Sequence, residues 1–491
     1  MKKNNTYTIR IFLVFISLIG LTGCTDWLTV KPTSGLIKEN FWTKTSDVEG
    51  ALAATYDSYR DNSLNAFIWG ELRADVFTFT ENISTPSLEN IAGSNISPSN
   101  SAISWKEFYQ TINYANTLMH YSNDVLAKDH SFTQEMKDRI DGEALFLRAL
   151  NYFYLVRLWK DVPLVTEPSI SDTGNLFLPK SPEHEIINQI ITDLNSAREK
   201  IGPVIYQNNL TYFKGKANRY SIMALLADVY LWNEQYQKCI DYCDSIINSG
   251  LYGLEPTATW FNLYNPGNSL AESIFEIQFD DGLDNQENPI YSNYLLISTD
   301  GTTGTDCIGT KDAVMKTLFS TEDIRTCGIN GPIWKYRGIT VNSSVIRGAN
   351  QRDANFIDYR YADILLMKAE ALNELDNITE ANEFLRLTEE RAGLSYVEVA
   401  NKSDMRTAIL NERAREFALE GKRWFDILRA AKRNHFANKQ LIIDMILSGA
   451  DVAQQAVLRT KVLDTMSYYL PIPEREILYN PNLVQNPYYD R

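Results

Sequence analysis

Histidine is scarce in this chain, with four among 491 residues. His120, His130, His184 and His435 stand far apart with no ligand spacing, so no zinc motif can be drawn from them. Cysteine is sparse as well, five in all. Basic residues are outnumbered: 47 Lys+Arg against 62 Asp+Glu leave a formal net charge of -15. That balance lacks the basic face a phosphate backbone requires and argues against nucleic acid as a partner. The sequence holds no nucleophile elbow, phosphate loop or metal signature, and no cofactor is expected. Past residue 21 no apolar run approaches the length of a membrane-spanning helix. What remains is globular composition, 44% hydrophobic and 22% charged, in a length that suits one large or two fused domains.

The N-terminus reads as a targeting segment. Lys2, Lys3 and Arg10 form a cationic start, and Ile11–Leu21 is an apolar run too short to span a bilayer. It ends in LTGC at 21–24, a lipobox-like string in which Cys24 is the thiol that accepts lipid. Residues 1–23 are therefore expected to be a signal peptide, leaving 24–491 as the mature chain with a polar tether from Thr25 to Gly35. Acyl chains alone would hold such a body to a membrane. Of the other cysteines, Cys239 and Cys243 sit four apart on an expected helix and read as buried apolar residues. Cys307 and Cys327 lie in a glycine-rich stretch where export would allow a bridge.

Helical periodicity dominates the rest. Helices are expected at Ser46–Arg60, Trp105–Tyr121, Gln134–Trp159 and Pro182–Lys200, the last with Ser181 as N-cap. Ile222, Leu225, Leu226 and Val229 make one apolar stripe, a break falls at Asn233-Glu234, and Gly250 stops a second helix. Ala362, Leu365, Leu366 and Ala369 repeat the design, with Gly393 as the stop. Met405–Leu419 and Arg423–Arg433 make a further pair. Paired helices with small residues along the stripe fit tetratricopeptide-like hairpins. The expected fold is mostly α: a helical scaffold over about 40–250 and 355–435, an irregular insertion over about 251–354, and a C-terminal loop region at 436–491. Thr80–Ser104 is a second non-helical stretch, rich in Ser and Asn. Long irregular segments on a rigid scaffold are where ligand contacts concentrate.

Several strings then fall into one order. They are GEALFLRA at 142–149 with DVPLV at 161–165, YRYADILLM at 359–367, and NER at 411–413 followed by EF, EG and RWFD at 416–426. The tail adds PIP at 471–473 and NPNLVQN at 480–486. Together they resemble the SusD/RagB family of outer-membrane nutrient-binding lipoproteins. Lys160 and Tyr488 stand where that family's pattern carries glycine. Arg148, Arg360, Arg413 and Arg423 are expected to lock helices by pairing with carboxylates such as Glu143, Asp363, Glu416 and Asp426.

The resemblance implies an oligosaccharide ligand held by loops away from the repeats, an outer-membrane location and a SusC-like TonB-dependent barrel as partner. Sugars present apolar C–H faces and hydroxyls, so aromatic, amide, guanidinium and carboxylate groups are the candidates. In the expected loops these are Trp69, Arg73, Asp75, Asn95, Tyr291, Asn293 and Tyr294. For Trp69, packing beside Glu71 and Leu72 competes with binding. A surface-anchored hydrolase and a peptide-binding tetratricopeptide scaffold are the rival functions. A catalytic Glu143 or Glu416 would need an apolar pocket and a second carboxylate at a set distance. The anchoring reading has a direct test. Cys24→Ala should move the protein from the membrane fraction to the soluble fraction without changing its melting curve. Membrane retention of that variant in cells lacking the barrel would overturn the reading.

Overall fold

The structure is a computed structural model. It describes residues 41–79, 85–170, 176–203, 214–264, 269, 271–283, 286–291, 308–310, 312–326, 335–336, 338–339, 341, 347–348, 351–448, 450 and 452–490. Cys24, the signal segment, the tether, Cys307 and Cys327 lie outside the described residues.

Helices α1 (Thr45–Asp61), α2 (Ser63–Phe67), α3 (Pro86–Ala92), α4 (Lys106–Lys128), α5 (Gln134–Trp159) and α6 (Glu183–Ile201) come first. Hairpins α7 (Arg219–Trp232) with α8 (Tyr236–Ile247) and α10 (Tyr361–Glu374) with α11 (Ile378–Arg391) follow, separated by α9 (Asp312–Leu318). Then come α12 (Lys402–Glu416), α13 (Arg423–Phe436), α14 (Gln440–Ser448), α15 (Val452–Val462) and α16 (Glu474–Tyr479). Neighbours stack in sequence: α1 on α4, α4 on α5, α5 on α6, α6 on α7, α8 on α10, and α12 on both α10 and α11. The scaffold is thus mostly α and tetratricopeptide-like.

Local sequence explains the bounds. The Thr133 hydroxyl accepts from Met136 N at 3.2 Å and starts α5. From Ile140 onward α5 is buried on every face, its polar side chains Glu143, Arg148 and Asn151 all held in hydrogen bonds. Asn218 accepts from Tyr220 N and Ser221 N, while its own N–H donates to the Ser221 hydroxyl at 2.8 Å, a reciprocal cap for α7. The hairpin breaks use Glu234 and Asp376 at φ 56° and 64°. The expected stripe on α7 is present, with Ile222, Leu225, Leu226 and Val229 all fully buried.

Two antiparallel strand pairs interrupt the helices. β1 (Phe77–Phe79) pairs with β3 (Ile308–Thr310), and β2 (Ser273–Ile277) pairs with β4 (Phe356–Arg360). The end of β4 is the start of α10, so Arg360 sits at a strand-to-helix corner. There it meets a set of buried charges. Arg360 Nη1 donates to Glu272 at 2.6 Å, Nε to Glu420 at 3.0 Å, and Nη2 to the Glu416 carbonyl at 2.6 Å. Arg325 reaches Glu412 at 2.8 Å, Glu416 at 2.7 Å and Asp323 at 2.8 Å. Lys335 binds Glu420 at 2.6 Å, and Arg391 joins Glu272 to Glu416. Burial opposes ionisation of Glu416, but Arg391, Arg360 and Arg325 outweigh it and hold the carboxyl well below its usual range.

The remaining motif arginines also pair with carboxylates. Arg413 bridges Asp363 and Asp426, and Arg423 grips Asp75. Arg148 takes Asp193 at 2.6 Å rather than Glu143, which instead accepts from Tyr56. Lys160 has φ 68°, so the position where glycine was expected needs a left-handed backbone that lysine adopts at a cost.

Three expectations need correction. The stretch 436–491 is not simply loop: α14, α15 and α16 form there. Ile442, Ile443, Met445 and Leu447 are buried, with α14 packed between α13 and α15. Short helices made by tertiary burial carry little local signal. Thr80–Ser104 likewise contains α3, with Pro86 at its first position. In α6, Pro182 rather than Ser181 is the cap residue.

Replacing Arg360 by Met should remove from a dry site the one cation that Glu272, Glu416 and Glu420 have in common, leaving the excess negative charge to Arg391, Arg325 and Lys335. The expected cost is about 3–5 kcal/mol, read as a lower urea midpoint at neutral pH. An unchanged midpoint would mean that the cluster does not hold the corner.

Candidate functional site

Most of the sequence-selected residues are used inside the fold. Trp69 lies in a single π-helical stretch, Ile68–Leu72, and is 0% exposed. Arg73 is 3% exposed and donates to the carbonyls of Tyr468 at 2.6 Å and Ser467 at 2.8 Å. Its guanidinium carbon lies 3.9 Å from the Trp424 ring centroid. Burial brings the Arg73 pKa down to about 10. Tyr291 is 2% exposed. These three are corrections: a side chain packed on all sides offers no face to a sugar. Asp75 is half-buried against Arg423 at 2.8 and 2.9 Å. Asn95 is exposed and accepts from Lys461 at 3.1 Å. Asn293 and Tyr294 lie outside the described residues. The chosen residues therefore do not converge on one open site.

The reason lies in a backbone contact that sequence reading could not supply. A Cβ at Gly70 would fall 1.8 Å from the Gly421 carbonyl oxygen, and Gly421 itself has φ 71°. Only two glycines allow this approach. The Glu71 carboxylate then accepts from Gly421 N at 2.8 Å and Lys422 N at 3.3 Å. Its second oxygen has no hydrogen-bond partner among the described residues. Burial pushes the Glu71 pKa up to about 8.

Between the ordinary value of 4.5 and about 8, the folded state keeps a proton on Glu71 that the unfolded chain releases. Stability therefore falls as pH rises through that window, by up to about 1.4 kcal/mol per unit. Glu71→Gln mimics the protonated form and should flatten that loss. Urea unfolding at about pH 5 and about pH 8.5 measures it. Equal pH dependence in the two proteins would refute a neutral Glu71.

Among the described residues, two spaces are large enough for a ligand. The first is an open hollow of about 500 Å³ formed by segments 98–107 and 473–476. Glu474 N donates to the Pro98 carbonyl at 3.0 Å and joins the two segments. Ser99, Ser101, Lys106, Glu474 and Arg475 give it hydroxyls and charges of both signs, and no aromatic ring lines it. The second, about 600 Å³, lies among α10, α12, α13 and α14 and includes Asp75 in its wall. Sequence reading marked the edge of the first hollow through the Ser/Asn-rich stretch. It missed 474–476, which are recognisable only as part of a tail motif. Among the described residues no cluster of His, Cys, Asp or Glu could hold a metal ion. Among them too, no helix is long and apolar enough to cross a membrane. Glu143 and Glu416, weighed as catalytic acids, are both buried in hydrogen-bonded or ionic contacts.

A family model described as the SusD family matches residues 222–489. The chain belongs to the SusD family. A second model, described as starch-binding associating with outer membrane, matches residues 26–231. A SusD-like protein of Formosa agariphila is 27% identical, over 88% of this chain and 93% of its own. A SusD-like protein of Bacteroides ovatus is 23% identical over 97% of each. The fold is similar to that of a SusD superfamily protein of Bacteroides thetaiotaomicron, with TM-score 0.73 at 22% identity, covering 91% of this chain and 99% of that one. It is also similar to NanU of B. fragilis, with TM-score 0.72 at 21% identity, covering 94% and 100%. The SusD motifs at 142–149, 359–367 and 416–426 thus map onto buried scaffold, as their arginine pairs indicate.

Proposed function

We infer that this SusD-family protein is a glycan-binding lipoprotein of the outer membrane that captures oligosaccharide and passes it to a SusC-like TonB-dependent barrel. The observation that carries this is the match of two SusD-type models that together run from residue 26 to residue 489, one of them described as starch-binding and outer-membrane-associated. The lipobox at Cys24 supports the anchor. Neutral or weakly acidic glycan is the favoured ligand, because a net charge of -15 repels polyanions. The protein acts as a binder rather than a hydrolase, with no metal or organic cofactor.

The open hollow is the proposed contact surface, with Asn95, Asn293 and Tyr294 as further contacts from the loops. Its hydroxyls, ammonium, guanidinium and carboxylate supply both donors and acceptors for sugar hydroxyls. Tyr294 is the aromatic candidate for the C–H face of a sugar. Two proteins tethered to one surface meet at high effective concentration, so a modest interface with the barrel suffices.

Affinity gels and calorimetry with neutral polysaccharides test this. Combined Glu474→Ala and Arg475→Ala, or Tyr294→Ala, should weaken binding about 5- to 50-fold, as loss of one or two ligand hydrogen bonds or a stacking ring does. No shortened product should appear. Tight, salt-sensitive binding of a sulfated glycan instead would refute the ligand class. Recovery of the protein without its co-expressed barrel after mild extraction would refute the partner.

A further inference from the structure

The cavity among α10, α12, α13 and α14 shares no residue with the open hollow and is not part of the proposed glycan surface. Its volume of about 600 Å³ lies within the range of ligand clefts, ~300–1,000 Å³. The floor is aliphatic: Ile409, Leu410, Ile427, Ala430 and Met445 line it. The mouth is mixed, with Thr407, Asn411, Asn438, Gln440 and Asp444 beside the exposed Ala437 and Leu441.

Charge narrows the ligand. Every arginine of the wall is already paired. Arg406 holds Glu374 through two bonds of 2.8 and 2.6 Å. Arg433 takes Glu374 at 2.7 Å and also Glu370, and Arg423 takes Asp75. A phosphate or sulfate would have to break one of these pairs to be bound. Against these three guanidinium groups the lining sets the carboxylates of Asp75, Glu370, Asp426 and Asp444, so its charges nearly balance and favour a ligand without net charge. A purely apolar ligand would leave the amides of Asn411, Asn438 and Gln440 unmatched.

We propose that this cavity is a second binding site, for a neutral polyhydroxylated molecule of the size of one end of an oligosaccharide. Its C–H face rests on the aliphatic floor, and its hydroxyls exchange bonds with the amides of Asn411, Asn438 and Gln440 at the mouth. The site does not depend on the loop-face reading, since it shares no residue with the open hollow.

The test uses the full mature chain with maltotriose, cellotriose and mannotriose as probes. Hydrogen exchange should show protection of 403–411 and 437–448 by at least one of them. Thr407→Trp, at an exposed position on α12, should abolish that protection and weaken that sugar's binding to the cavity about tenfold or more. Gln440→Trp, exposed at the start of α14, serves as the second blocking variant if the first melts early. Both should leave binding at the open hollow unchanged. Protection confined to 98–107 and 473–476, or unaltered by either tryptophan, overturns the second site and leaves the proposed function standing. Binding of peptides but of none of the sugars at 403–448 overturns the ligand class. Absence of any sugar binding to the chain overturns both readings.

Discussion

The ion pairs around Arg360 are the constraint on which the rest of the fold depends. Carboxylates from the residue before β2, from α12 and from the turn after it meet cations from β4, α11 and the irregular insertion, all out of water. Taking charges out of water is expensive, and it is tolerated only where each charge has several well-placed partners. The cluster therefore fixes where the insertion sits on the helical stack, a placement that apolar contacts alone would leave loosely specified. Lys335 shows the tension in one group: burial lowers its pKa to about 8, while Glu420 beside it pulls the other way.

The same pairing explains why the candidate ligand surfaces lie where they do. Guanidinium and carboxylate groups in the SusD motifs are engaged with one another, so they are not free to read a ligand. Hydroxyls, amides and surface charges line the two hollows instead. This division suits a binder whose scaffold stays rigid while its edge segments vary.

Legibility tracked sequence distance. The bounds of α5 could be read residue for residue, because Thr133 caps its start and an unbroken helical pattern runs to Trp159. The two hairpins were legible from Gly250 and Gly393, both at positive φ. That arginines would pair was legible too, but not always with whom: Arg148 and Asp193 are on different helices, and nothing local links them. Trp69 and Arg73 could be read equally as platform or as packing, because the choice is made by Gly421 and Trp424, some 350 residues away. α14 was missed because its helicity comes from what it lies against.

The contact between Gly70 and Gly421 carries a temporal consequence. A chain made from its N-terminus produces the segment around Trp69 early and its seat late. Until residue 421 exists, Ile68, Trp69 and Leu72 have no place to go and remain open to water and to other chains. Such a long-range closure slows folding in general. Here it also means that no N-terminal fragment ending before the α12–α13 turn can complete its own core, however many helical hairpins it contains.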